Sequence, residues 1–418
     1  MTTALAPSRL SEARFGWRPL LGSTLGVAVG IGSIPLYTNS VLFHNLEEQF
    51  GWQESALTLV FLICNLLLAL ASPFAGRLVD AIGSRLPALI SAIALGASYL
   101  VLAIAPDSFS LYVVTQVIVY LAAACSAAVA YARLVTRSFD LMRGLALGVM
   151  NTGPAIVAML IPAVAASALD AGGIRGAYVT LGLICLVGGS LSFLLIPRRA
   201  DADASAAPDD LPSVATAAVP QVVRSLRLNR TLVTMFVAFF LMALATIGTI
   251  ELLFGLLLEI GATEGEAIAM LGSLGLVMFI VRLAIGALLD WLPVTWVAAV
   301  AFVLCAVGLA SLALVGAPVA GVAVLALGLA LGSETDIMAV FVSRYTSRGV
   351  FGRVFGIGSL AFGLGVAAGP FLLSLVHEAT GAPVAPLLVA AGALVAAAVL
   401  FLTVPSIRPT AARRRDLA

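Results

Sequence analysis

The chain has 418 residues, 61% of them hydrophobic and 10% charged, against about 45–50% and about 25% in soluble globular domains; its mean hydropathy is +1.13. The non-apolar minority cannot cover so much apolar surface, so an ordinary soluble enzyme is excluded and lipid becomes the solvent for most of the chain. A net charge of +1 gives no sign of nucleic-acid binding. All 22 basic residues are Arg, which removes the Lys that a phosphate-binding Walker loop or a pyridoxal Schiff base needs. ATP-driven pumping by this chain alone is thereby excluded. Cys64, Cys125, Cys185 and Cys305 lie in separate apolar runs, and His44 and His377 are far apart. Neither a disulfide framework nor a metal site is expected, and no cofactor.

Arg9, Arg14 and Arg18 precede an apolar stretch running to about Phe43 with no small-residue cleavage site, which reads as a retained first membrane helix. At about 20 apolar residues per crossing, apolar runs bounded by charges or turn residues place twelve helices. They fall at 20–43, 55–79, 86–105, 109–135, 143–169 and 175–196, then at 231–258, 267–289, 294–315, 319–345, 352–377 and 383–404. Residues 197–230, rich in Ala, Pro and Asp, read as a cytoplasmic linker. The expected architecture is an all-α membrane protein with an N-terminal six-helix bundle, 1–196, and a C-terminal one, 231–418.

Arginine placement then sets orientation, because cytoplasmic loops are enriched in positive charge. With the N-terminus inside, Arg9, Arg14, Arg18, Arg77, Arg85, Arg133, Arg137, Arg143, the linker arginines, Arg344, Arg348, Arg353 and the C-terminal arginines share the cytoplasmic face. The opposite loops carry Glu47, Glu48, Glu54, Asp107, Asp170, Glu259, Glu264, Glu266 and Glu378, with Arg175 their one basic residue. Both termini are therefore expected in the cytoplasm. Trp17, Trp52, Trp291 and Trp296 fall at predicted helix ends, as an interfacial aromatic belt requires. The halves also repeat: Gly76-x-x-x-Asp80 and Gly286-x-x-x-Asp290 lie 210 residues apart, and the same offset carries Arg143 and Gly148 onto Arg353 and Gly358. Duplicated halves are the arrangement in which transporters place a substrate site at mid-membrane.

The loop Gly76-Arg-Leu-Val-Asp80-Ala-Ile-Gly83-Ser-Arg85 resembles the signature loop of the major facilitator superfamily. The resemblance implies that Asp80 and Arg85, with Asp290 as the repeat counterpart, latch the cytoplasmic helix ends. Gly153-Pro154, preceded by Gly144 and Gly148, is similar to the Gly-Pro element of antiporters in that superfamily. Phe50-Gly-Trp52, Arg282 in the eighth helix and Arg143-Gly144 look like the monocarboxylate porter and oxalate:formate antiporter branch. Two departures stand out: the Lys of monocarboxylate porters falls near Tyr37, and their Asp, four residues before the Arg, is Met278 here. The proton-coupling parts of that branch are not simply inherited.

A charge at mid-bilayer costs from about 3 to over 10 kcal/mol, so intramembrane ionisable residues are functional candidates by default. Arg282 is the substrate candidate, since its guanidinium matches a carboxylate bidentately and the resemblance places a substrate Arg there. The competing reading is a structural ion pair with Glu334. Glu334 and Asp336 lie two apart, about 200° around one helix, so both cannot face a cavity squarely. Glu334 is the favoured proton-coupling group, with Asp336 as the alternative; Glu251 is a third candidate, facing either the cavity or the outer interface. In the first half, Tyr37, Asn39, Asn65, Gln116, Tyr120 and Asn151 are candidates for the substrate's other end, with Tyr131 on one stripe with Gln116 and Tyr120. Helix packing explains such a stripe equally well. Gly22, Gly26 and Gly30, and likewise Gly352, Gly356, Gly365 and Gly369, provide close helix approach; His44 and His377 sit at outer helix ends, where an interfacial residue without a role is the favoured reading and a sensor of external pH the alternative.

The expected function is a secondary transporter, not an enzyme. It would move a small organic anion, with a monocarboxylate favoured, by proton symport and alternating access, as a monomer in a bacterial cytoplasmic (inner) membrane. Its partners are the substrate, protons and the lipid bilayer. The alternative is proton-coupled efflux of amphipathic or cationic compounds through Glu251, Glu334 and Asp336; a membrane enzyme or receptor scaffold is the third reading.

Overall fold

Apolar runs of about 20 to 30 residues, with few internal charges, can satisfy their backbone in lipid only as helices. The computed structural model bears this out, and among the described residues there is no strand. It describes residues 9–82, 85–123, 131, 134–135, 138–139, 143–197, 230–346 and 351–406, without the side chains of 9–15, 72–82, 143–144, 286–287, 290 and 351–353. The linker expected at 197–230 and the C-terminal arginines lie almost wholly outside these residues. We number the helices α1 (Arg9–Ala28), α2 (Ile34–Phe50), α3 (Glu54–Ile82), α4 (Arg85–Ile104), α5 (Phe109–Ala123) and α6 (Arg143–Leu195). After the linker come α7 (Arg230–Glu259), α8 (Glu264–Trp291), α9 (Val294–Val315), α10 (Ala320–Tyr345), α11 (Phe351–Thr380) and α12 (Val384–Thr403). Nine helices among the described residues are long and apolar enough to cross a membrane, one of them the doubled α6.

One predicted boundary is corrected. The first crossing is not one helix over 20–43: α1 stops at Ala28, and α2 begins at Ile34 after Gly30, Gly32 and Ser33. The Ser33 hydroxyl donates to the Val27 carbonyl at 2.7 Å, satisfying an acceptor that the break frees. The pair predicted at 143–169 and 175–196 stands as two helical arms parted at Gly173, whose φ of +62° and ψ of −160° are non-helical and open to glycine without strain; α6 denotes both arms. The turn there lets α6 run back alongside α1 and α4.

Within each half, glycines let backbones meet. A side chain at Gly365 or Gly369 of α11 would collide with the Phe240 or Leu244 carbonyl of α7, and one at Gly248 of α7 would lie 2.9 Å from Gly369. In the first half, Gly22 seats α1 against Ser192 and Ile196 of α6, where the Ser192 hydroxyl donates to the Gly22 carbonyl at 2.6 Å. Gly153, beside Pro154, faces the Thr24 carbonyl of α1 at 2.6 Å from where a Cβ would stand. Backbone does not yield as a flexible side chain does, so Gly369→Leu is expected to separate α7 from α11. Detergent-solubilised variant should lose most of its monodisperse peak on size exclusion, whereas Gly392→Leu, at an open position, should keep it.

Among the described residues the most extensive contacts between the halves are those of α2 with α7, α3 with α11, and α6 with α8. The last is close enough that a Cβ on Gly272 would sit 3.0 Å from the Met159 carbonyl, and one on Gly275 would overlap the Met159 amide. Any group held between the halves must therefore come from these helices or from the ones behind them.

Candidate functional site

The break before α2 places Tyr37 and Asn39 in the first turns of a new helix, both buried (7% and 9% exposed). Two residues apart, they point to different sides of α2. Tyr37 reaches α8, with its hydroxyl 3.8 Å from the Met278 sulfur. Tyr37 and Met278 thus touch across the interface between the halves.

One helical turn beyond Met278 stands Arg282, half-buried, with its Nε hydrogen unpartnered. Among the described residues Arg282 forms no ion pair within 4 Å. Its charge still reaches Tyr37 from α2 and both Glu334 and Asp336 from α10. Glu334 is 8% exposed and its Oε2 has no hydrogen-bond partner; Asp336 is half-buried. Below Glu334 on the same helical face, Met338 and Phe341 are buried, and Phe341 stacks on Tyr345 at 4.2 Å with the rings 13° from parallel. Gly328 and Gly332 bring α10 against Leu274, Val277, Met278 and Val281 of α8, which sets the two charged rows side by side. The competing reading, a structural ion pair of Arg282 with Glu334, thus gives way to a near approach with open hydrogen-bonding capacity on both partners.

The sequence leaves Glu251 facing either the cavity or the outer interface. It is fully buried in α7, and neither carboxylate oxygen has a hydrogen bond that meets distance and angle limits. Asn39 of α2 is its polar neighbour, and Tyr99, Tyr112 and Tyr120 are within electrostatic reach. Asn65 donates to the Phe61 carbonyl at 2.9 Å and neighbours Tyr120, whose ring meets Phe61 edge to face at 6.3 Å. A second polar group therefore lies between α2, α3, α5 and α7. Gln116 and Asn151 are half-buried.

The stripe of Gln116, Tyr120 and Tyr131 is not one functional unit. Tyr131 belongs to a separate small core with Ala88, Leu134, Val135 and Phe139, and its ring fills the space that a side chain on Gly26 would need. Of the signature loop, Gly83 and the side chain of Asp80 lie outside the described residues, as does the side chain of the repeat counterpart Asp290. Arg85 is described: its Nε donates to the Phe193 carbonyl at 3.0 Å and its guanidinium lies 4.0 Å from the Phe193 ring centre, tying α4 to α6. Arg344 similarly donates to the Leu289 and Leu292 carbonyls, at the C-terminal end of α8.

Sequence reasoning missed the partners of His377. Its ring nitrogens lie 3.1 Å from Glu54 Oε2 and 3.0 Å from Glu259 Oε2. Those partners are 323 and 118 residues away in the chain, beyond what local spacing can reveal. No group of three or more His, Cys, Asp or Glu suited to a metal ion occurs among the described residues.

Residues 25–357 match the model of the Major Facilitator Superfamily. No curated protein matches the sequence. Among solved structures, the fold is similar to the nucleoside transporter NupG (D323A mutant), with a TM-score of 0.75 and 12% identity over 93% of this chain and 99% of that one. It is also similar to the human organic anion transporter MFSD10 (TETRAN), with a TM-score of 0.63 and 17% identity over the same shares.

Proposed function

The chain belongs to the major facilitator superfamily, and from that premise we propose that it is a secondary transporter for a small organic anion, with a monocarboxylate favoured, driven by proton symport. Transport as such follows from the family. The anion reading is carried by one observation: an arginine between the halves with an unpartnered Nε hydrogen and no ion pair among the described residues. A guanidinium in low dielectric with donors to spare is a receptor for a carboxylate. The Tyr37 phenol, facing the same region, adds a neutral donor for the second oxygen or for a carbonyl beside it. Asn39, Asn65, Gln116, Tyr120 and Asn151 line the route to the substrate's other end.

In this reading residues 1–196 and 231–418 are two bundles that rock about the site, joined by the cytoplasmic linker, with both termini in the cytoplasm of a bacterial cell. Alternating access opens the site first to the acidic face, outside, and then to the arginine-rich face, inside. The chain acts as a monomer. With the Lys and Asp of the monocarboxylate pattern replaced by Tyr37 and Met278, the proton site moves to α10 and α7. Glu334 is the first choice because it is buried, has an unpartnered oxygen and is within reach of Arg282; Asp336 and Glu251 are the further candidates. An incoming carboxylate neutralises Arg282 and so changes the charge that Glu334 faces, which is a direct means of coupling anion and proton binding.

Counterflow in proteoliposomes preloaded with unlabelled pyruvate, acetate or oxalate tests the reading, with uptake of the labelled anion expected above empty vesicles. Glu334→Gln is expected to retain counterflow while losing at least about tenfold of the acceleration of net uptake by an acid-outside gradient. Asp336→Asn should keep that acceleration. An unchanged pH dependence in Glu334→Gln would remove Glu334 from the coupling. Proton-coupled efflux of lipophilic cations is the second reading, supported by the carboxyls Glu251, Glu334 and Asp336 outnumbering Arg282 in the helix interiors.

A further inference from the structure

The acidic ends of α3 and α11 are joined by three side-chain links of different kinds. The Thr58 and Ser374 hydroxyls hydrogen-bond at 2.7 Å in a buried position. The Ser55 amide, in the first turn of α3, donates to Glu378 Oε1 at 2.9 Å. Outermost, His377 stands between two carboxylates: Glu259, at the end of α7, holds the ring from its own half, and Glu54, at the start of α3, meets it from the other. Two of these links are indifferent to proton concentration at neutral pH. The third is not, because an imidazole has two N–H donors only when protonated.

The surroundings are strongly one-signed. Besides Glu54 and Glu259, the carboxylates of Glu47 from α2 and Glu378 from α11 itself lie within electrostatic reach. Glu47 is held above the usual carboxylate range by partial burial and by Glu54, Glu378 and Glu259, with His377 opposing the rise. From α2, His44 pairs instead with Glu48 at 3.4 Å and meets Phe254 of α7 edge to face. Glu266 is engaged in the capping box at the start of α8. On the remaining neighbours of α11, α12 contains no titratable side chain, and α10 contains none nearer its start than Glu334. His377 is thus the basic member of a cluster containing four carboxylates.

We infer that the His377 cluster is a proton-binding latch, so that closing the acidic face between the halves takes up one proton from the medium on that side. Protonated, His377 donates to Glu54 and Glu259 together and pins α3 to α7 and α11. Losing the N–H proton from either nitrogen leaves one carboxylate facing a ring lone pair, with two negative charges now opposed across the interface. The halves then separate at this end. By linkage, whatever closes the face more readily when protonated also binds its proton more readily when closed. This goes beyond the substrate reading and holds for any substrate.

The test is a distance measurement with no substrate present. Nitroxides are placed at exposed Gln53 and Glu264, on opposite halves, in full-length protein with the four native cysteines replaced by Ala, reconstituted in nanodiscs. Pulsed electron resonance is then recorded from pH 5 to pH 10. A charge-assisted hydrogen bond sets the scale of change at about tenfold or more in the closed-to-open ratio. The long-distance population is expected to grow by that factor as pH rises. His377→Arg, which bridges carboxylates without titrating in this range, should stay closed throughout; His377→Gln should stay shifted toward open throughout. A wild-type distribution that does not move with pH overturns the proposal, as does a His377→Gln variant that keeps the wild-type pH response. Because no ligand is added, neither outcome bears on Arg282.

Discussion

Arg282→Gln is expected to raise the half-saturating concentration of a transported carboxylate by about 100-fold or more. The guanidinium has an unpartnered Nε hydrogen and no ion pair among the described residues. Two charge-assisted hydrogen bonds, each worth about 1.5–3 kcal/mol, disappear together. Gln keeps a donor but neither the charge nor the fork. Arg282→Lys keeps the charge and loses the planar pair of donors, so a partial recovery, still about tenfold or more below wild type, is expected. Counterflow half-saturation for the three proteins checks this. Equal values in wild type and Arg282→Gln would assign Arg282 to the bundle's structure and turn attention to the carboxyls.

Glu251→Leu should do the opposite of most core substitutions: stabilise the protein while disabling it. Both carboxyl oxygens are sealed in α7 without a geometrically sound hydrogen bond, and such burial costs about 1–3 kcal/mol on the mutational scale. Leu has similar bulk and carries no such penalty. The variant's melting temperature in detergent is expected to rise by several degrees, with gradient-driven accumulation reduced about tenfold or more. A residue retained at a cost in stability marks function. A lower melting temperature for Glu251→Leu would instead show that the carboxyl holds α7 in place.

How much was readable from sequence alone depended on distance along the chain. Span lengths fixed the helices, because an apolar run in lipid has few other solutions, and the small residues Gly22, Gly365 and Gly369 marked close helix approaches correctly. The turn at Gly173 fell between the two spans read at 143–169 and 175–196, whereas the break before Ile34 was less legible: glycines in helices are ambiguous between packing and interruption, and only the surroundings decide. Grouping Tyr131 with Gln116 and Tyr120 failed because a shared helical face does not ensure a shared neighbour; Gly26 opens a separate niche for Tyr131.

At the site, Arg282, Glu334 and Glu251 stood out because a charge in an apolar run is conspicuous. Pairings between halves were not visible. The contact of Tyr37 with Met278 joins residues 241 apart. His377 looked like an ordinary interfacial histidine, since nothing near it in sequence except Glu378 hints at the carboxylates that fold around it.

The central claim is an anion site that draws on a proton gradient. Wild-type protein in proteoliposomes, given an acid-outside gradient, is offered labelled pyruvate, acetate and oxalate in parallel with tetraphenylphosphonium. The account predicts accumulation of at least one carboxylate above empty vesicles, abolished by collapsing the gradient, and no protein-dependent movement of the cation. Protein-dependent, gradient-driven flux of the cation with none of the carboxylates would contradict it.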